Sequence, residues 1–250
     1  MKLKCLNRSV LKWIALVTML IDHVGAVLGL ETFAGWGLEW LYYLLRTIGR
    51  LSFPIFAFFI AEGYYYTKNK TRYVLLLLVF AIISQSIYYF ALNQNLFDFN
   101  ILFTFLLSIL VMFILDISRK NPNYSFMYYT FIFAIGIITV ALSLMGMPIS
   151  YGVYGVFLPV VFYAFNHSTS KYAKTYMWVI AFLIMVLYWG LSYMMLDKTV
   201  FNSYIDLFAV LSLVLLYFYN GQKGKGAPKY LFYIFYPAHI LILFLIKLLI

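Results

Sequence analysis

Long apolar stretches separated by short polar interruptions run the length of the chain, at about 12–30, 46–66, 73–92, 101–118, 125–145, 151–166, 175–195, 203–219 and 230–249. A helix advances about 1.5 Å per residue, so runs of this size suit a hydrocarbon layer of about 30 Å. The pattern predicts an all-α integral membrane protein, a bundle of about nine transmembrane helices. No gap between spans is long enough to fold alone, so residues 1–250 are expected to form a single polytopic domain. The two halves share no spacing of Gly, Pro or charge that would mark an internal repeat.

Composition agrees with that solvent. With 65% hydrophobic, 22% aromatic and 10% charged residues, the chain lies far from soluble proteins. A formal net charge of +10 would suggest nucleic acid in a soluble chain, but here the basic residues sort by loop and no nucleic-acid partner is expected. Alternate loops hold Lys2, Lys4, Arg8 and Lys12; Lys68, Lys70 and Arg72; Arg119 and Lys120; Lys171 and Lys174; and Lys223, Lys225 and Lys229. The opposite loops carry Lys198 with Glu31, Glu39, Asp98 and Asp197, and Lys247 lies near the carboxyl end. The positive-inside rule then places the amino terminus in the cytoplasm. The segment 1–12 resembles the start of a signal peptide, but no small-x-small cleavage site follows, so a retained first span is expected. Cys5 stands alone and allows no disulfide. The loop "NGQKGKGAPK" at 220–229 reads as a topology signal, or alternatively as a docking surface for a polyanion. Richness in Lys, Asn, Tyr and Phe suggests a low-GC bacterium, and with it the bacterial cytoplasmic membrane.

Polar residues inside the spans change the picture. Each charged group in a bilayer costs several kcal/mol unless paired or wetted. By rise per residue, His23 lies about 16 Å beyond Lys12, Gln85 about 18 Å from the start of its span, and His239 about 14 Å from Tyr230. Arg50, entering from the opposite side, reaches a similar level. Four polar side chains at one depth predict a shared hydrated cavity. Eleven residues return a helix almost to its starting face, so Lys12 and His23 share a face. Asp22 points about 100° away from His23, so its partner is expected on another helix, with Arg46 or Arg50 the candidates. Arg46 and Arg50 lie four apart on one face, and Pro54 removes the hydrogen bond that the Arg50 carbonyl would receive, predicting a kink. Glu62 is placed to meet Lys12 or Lys68. His167 reads as a solvated interface group, and Asp116 as a helix-end partner of Arg119 and Lys120.

Three stretches carry a resemblance to a known family: "LKWIALVTMLIDHVGAVL", "RTIGRLSFPIFAFFIAEGYYYTKNKTRYVLLLLVFAIISQSIYY" and "YIFYPAHILIL". Together they resemble the TraX proteins, named for the enzyme that acetylates the amino terminus of conjugative pilin. TraX in turn looks like a distant relative of the acyltransferase-3 superfamily, whose first helix carries a basic residue, ten others and a histidine. Lys12 and His23 match that pattern. The superfamily's paired arginines are separated by two residues, whereas Arg46 and Arg50 are separated by three. The resemblance implies acyl transfer from acetyl-CoA as co-substrate, with no bound cofactor, to an acceptor at the outer side of the membrane, and the role of the superfamily's histidine carries over to His23.

The residues permit that chemistry. Lys12, with Lys68, Lys70 and Arg72, would hold the phosphates of acetyl-CoA while the thioester reaches inward. His23 would act as general base or carry the acetyl group itself, Arg50 would stabilise the oxyanion and Asp22 would hold that arginine. His239 would orient His23 or bind the acceptor, and Arg46, Glu62 and Gln85 complete the expected substrate-contacting set. The acceptor is open: a peptide amino terminus, a glycan or a small amine. Two other readings stand beside this one. A proton-coupled transporter would use the same Asp, His and Arg groups. An inert scaffold would leave their common depth without a reason. No Gly-rich phosphate loop, metal-spaced His/Cys cluster or GxSxG elbow is present.

Overall fold

The computed structural model describes residues 5–92, 94–195, 200–225 and 230–250. Among these residues the chain is all-helical: α1 (Arg8–Gly35), α2 (Glu39–Gly49), α3 (Ser52–Tyr66), α4 (Lys70–Leu92), α5 (Ile101–Lys120), α6 (Ser125–Leu144), α7 (Gly152–Asn166), α8 (Ala173–Met195), α9 (Val200–Leu207), α10 (Leu211–Tyr217) and α11 (Leu231–Lys247). Six segments are long and apolar enough to cross a membrane: Arg8–Gly35, Glu39–Tyr66, Lys70–Leu92, Ile101–Lys120, Pro122–Leu144 and Ala173–Leu191. The other three expected spans are shorter apolar helices, Gly152–Asn166, Tyr204–Tyr217 and Leu231–Lys247. At 10–17 residues these helices are at or below the short end, about 17 residues, of what crosses a hydrocarbon layer. Of about nine expected transmembrane helices, six are thus long and apolar enough to cross a membrane among the described residues, and the other three are present as shorter apolar helices. Of the charges used to orient the chain, Lys2, Lys4, Asp197, Lys198 and Lys229 lie outside the described residues.

The chain divides into two compact units. The first comprises Met1–Phe56, Phe90–Leu92 and Phe182–Ile250. Its organising element is α1, capped by the Asn7 side chain, which accepts from the Val10 amide at 3.0 Å. Leu11, Ala15, Thr18, Asp22 and Gly25 are all buried, spaced by four and three residues along the helix. Such spacing forms the seam by which one helix packs on another, and α1 packs on α2 and α11. Gly29, at φ +81°, breaks the helical path near its far end. A turn through Trp36–Leu38 then returns the chain as α2, antiparallel to α1. The expected kink is present: α2 ends at Gly49 and α3 resumes at Ser52, because Pro54 has no N–H to give the Arg50 carbonyl. Outward-facing apolar groups such as Val17 (51% exposed) suit a hydrocarbon solvent.

The second unit comprises Ala57–Tyr89 and Asn93–Ala181. Here α5 is the central element, packed on α6 and α7. Its N-cap Asn100 is fully buried and accepts from the Leu102 amide at 3.0 Å. Close approach of α7 to α5 depends on Gly155, where an added Cβ would lie 2.8 Å from Thr104 Cγ2 and from the Ser150 carbonyl oxygen.

Candidate functional site

The first unit gathers polar side chains on two sides of α1. Toward α2, the Asp22 carboxylate lies 2.9 Å from Arg46 Nη1 and 3.9 Å from Arg50 Nη1. Arg46 also donates to the Asp22 backbone carbonyl at 3.3 Å. Arg50 Nε lies 2.8 Å from Asp206 Oδ1 on α9. Two carboxylates thus face two guanidiniums, so the cluster's formal charges cancel, which is the condition for keeping such groups in an apolar interior.

Two glycines make room for this arrangement. A Cβ on Gly49 would collide with the Asp22 side chain, and one on Gly25 would lie 3.1 Å from Arg46 Cδ. The residue pairs 22 with 49 and 25 with 46 fall in one antiparallel register of α1 and α2. Sequence reasoning missed both glycines and the pairing of Asp206 with Arg50. The first signal was the spacing: glycine follows Asp22 by three residues and also follows Arg46 by three.

Toward α11, the His23 ring meets His239. His23 Nδ1 is 2.9 Å from His239 Nε2 and 3.0 Å from the Met19 carbonyl oxygen. His239 Nδ1 is 2.5 Å from the Phe235 carbonyl oxygen. Both contacts to carbonyls run back one helical turn on the residue's own helix. The His239 side chain is buried against Phe235, at 4.7 Å between stacked rings, and Tyr236 packs edge-on against both histidines. His23 is half-buried, whereas His239 is 5% exposed. On the same face of α1, Lys12 Nζ sits 4.3 Å from the centre of the Phe232 ring.

Of the residues read from the sequence, His23, Asp22, Arg46, Arg50, His239 and Lys12 belong to this unit, and Glu62, Gln85, Lys68 and Arg72 to the other. There Glu62 is buried, accepting from Asn166 Nδ2 at 2.8 Å and His167 Nε2 at 2.6 Å. His167 is not a solvated interface group: its ring stacks on Tyr65 at 3.6 Å while holding Glu62. Gln85 donates to the Asp98 carbonyl at 2.9 Å and accepts from Asn100 Nδ2 at 2.8 Å, holding the turn before α5. Asp116 gathers more than helix-end partners: Tyr64 at 3.0 Å, Lys70 at 2.8 Å and Tyr163 all bond to it, with Arg119 at 3.9 Å. Lys68 and Arg72 are exposed at the start of α4 and the turn before it.

A sequence model of the TraX protein family matches residues 7–247. The chain belongs to the TraX protein family. The match includes every residue of both polar arms around α1. A "Probable fimbrial assembly protein FimC, serogroup H1" from Dichelobacter nodosus is 28% identical over 244 residues, covering 93% of this chain and 92% of the relative. No solved structure matches the chain. As a TraX-family membrane protein, it brings together in one unit a histidine pair, a neutral Asp/Arg cluster and a lysine on the histidine's helix face. Among the described residues no group of three or more His, Cys, Asp or Glu side chains could hold a metal ion.

Proposed function

We propose that the protein is an integral membrane acetyltransferase that moves an acetyl group from cytoplasmic acetyl-CoA to an acceptor amine or hydroxyl at the outer side of the bacterial cytoplasmic membrane. The observation that carries this reading is the half-buried imidazole of His23, held by His239 and lying on the same helix face as Lys12. In this reading the amino terminus is cytoplasmic, so Lys12 stands at the mouth where the CoA phosphates enter. No tightly bound cofactor takes part in this reading.

The chemistry follows from the groups present. The acceptor nitrogen or oxygen attacks the thioester carbonyl carbon; the new bond to carbon forms and the C–S bond breaks. The proton lost by the acceptor passes to His23 and from there to the departing thiolate, releasing free CoA. Arg50, oriented by Asp206 and Asp22, stabilises the oxyanion that develops on the carbonyl oxygen. Arg46 is the nearer partner of Asp22 and holds that carboxylate in place. The name of the Dichelobacter relative supports a pilus subunit as acceptor.

Proteoliposomes test the reading. Labelled acetyl-CoA is supplied on one face and a peptide with a free amino terminus is enclosed on the other. Labelled peptide is the expected result. Proton-coupled solute flux with no acetyl transfer would replace the enzyme by a transporter.

A further inference from the structure

A carbonyl oxygen can only accept a hydrogen bond, and this fixes the proton positions on both rings of the histidine pair. His239 Nδ1 faces the Phe235 carbonyl at 2.5 Å, so that nitrogen carries the proton. In a neutral ring the other nitrogen, Nε2, is then an acceptor. It faces His23 Nδ1 at 2.9 Å. His23 Nδ1 in turn faces the Met19 carbonyl at 3.0 Å, so it too carries a proton, shared between Met19 and His239. Every contact in the chain is satisfied by one arrangement: His23 donates to His239, and His239 donates to Phe235. The reverse arrangement would set a nitrogen lone pair against each carbonyl oxygen.

The consequence falls on the remaining nitrogen. With its proton on Nδ1, His23 presents the Nε2 lone pair. We infer that His239 is a positioning residue that fixes the orientation and tautomer of His23, so that Nε2 is the nitrogen offered to the acceptor. When Nε2 takes the acceptor's proton, the Nδ1–H donated to His239 stabilises the positive charge that spreads over the ring. His239 is buried, stacked on Phe235 and edge-on to Tyr236, which holds its own ring in place. The catalytic consequence rests on the acetyltransferase reading; the hydrogen bond does not.

The test has two arms. The chain has 3 histidines, so 15N-histidine labelling of the full protein in lipid nanodiscs gives spectra assignable by replacing each in turn. The inference expects Nδ1–H with unprotonated Nε2 on His23, and a trans-hydrogen-bond 15N–15N coupling from that Nδ1 to His239 Nε2. A protonated Nε2 on His23, or absence of the coupling, overturns it without reference to activity. In the kinetic arm, His239→Leu is expected to lower kcat by about tenfold or more with KM for acetyl-CoA little changed. His239→Gln, whose amide oxygen can take the acceptor position, is expected to recover much of the loss. A rise in KM for the acceptor with unchanged kcat would make His239 a binding residue and overturn the positioning role. If His239→Leu fails to fold, the wild-type spectrum still decides. Absence of turnover in the wild-type protein would sink the acetyltransferase reading alone.

Discussion

The Asp22 side chain occupies the space where a Cβ on residue 49 would be, so the carboxylate and Gly49 are two halves of one contact between α1 and α2. Replacing Gly49 by alanine sets two effects against each other. Helix propensity favours Ala by about 1 kcal/mol, but forcing Asp22 aside costs about 1–3 kcal/mol and moves it from Arg46. The collision wins. Gly49→Ala is expected to lower the thermal unfolding midpoint in detergent, whereas Gly190→Ala in α8, with nothing within 4 Å of the added carbon, is expected to leave it unchanged or raise it. Equal behaviour of the two variants would contradict this packing.

Arg50 and Asp206 lie far apart in sequence, yet close to 2.8 Å. Their coupling is measurable by a double-mutant cycle with Arg50→Gln and Asp206→Asn. Either single change leaves a charge with one partner fewer, so both singles destabilise, while the double variant loses less than their sum by about 0.5–3 kcal/mol. Strict additivity would show that the pair makes no net contribution.

How much of this was legible beforehand depends on what each residue needed. An unpaired carboxylate in an apolar helix demands a partner, so burial physics pointed from Asp22 to Arg46 and Arg50. The same demand applied to Asp206 in the run 203–219, but that its partner is Arg50 depends on the packing of an eight-residue helix on α2, which is a tertiary fact. The kink at Arg50 was readable because Pro54 acts within four residues. The extent of α7 was readable as well: the apolar run 151–166 becomes the helix Gly152–Asn166, with Tyr151 at φ +62° just before it. His167 looked solvated because it follows the last apolar residues of its span, and only the fold brings Glu62 and Tyr65 to it.

Lys12 is half-buried and lies over Phe232, on the face that carries His23. If it holds a CoA phosphate equally in ground and transition states, Lys12→Gln raises KM for acetyl-CoA by roughly three- to tenfold while kcat stays near wild type. Added salt is expected to narrow the difference between the two proteins, since charge attraction at a water-filled mouth is screened. A fall in kcat at unchanged KM would move Lys12 into the chemical step.

Asp116 accepts from Tyr64, Tyr163 and Lys70, joining four helices of the second unit. Asp116→Asn replaces acceptor lone pairs by amide hydrogens facing hydroxyl and ammonium donors. The expected cost is about 1–3 kcal/mol, larger than for Tyr64→Phe, which removes one donor and leaves the carboxylate its other partners. Thermal unfolding of both variants in one detergent gives the order, and a larger loss in Tyr64→Phe would contradict it.

The central claim is that His23 moves a proton during acetyl transfer from CoA. The most direct measurement is release of free CoA thiol from acetyl-CoA by the purified full-length protein with an acceptor peptide present, wild type beside His23→Ala. The account predicts turnover in the wild type and a loss of about a hundredfold or more in the variant, with acetyl-CoA still bound. Equal turnover in both proteins, or transfer by neither with CoA unbound, would contradict it.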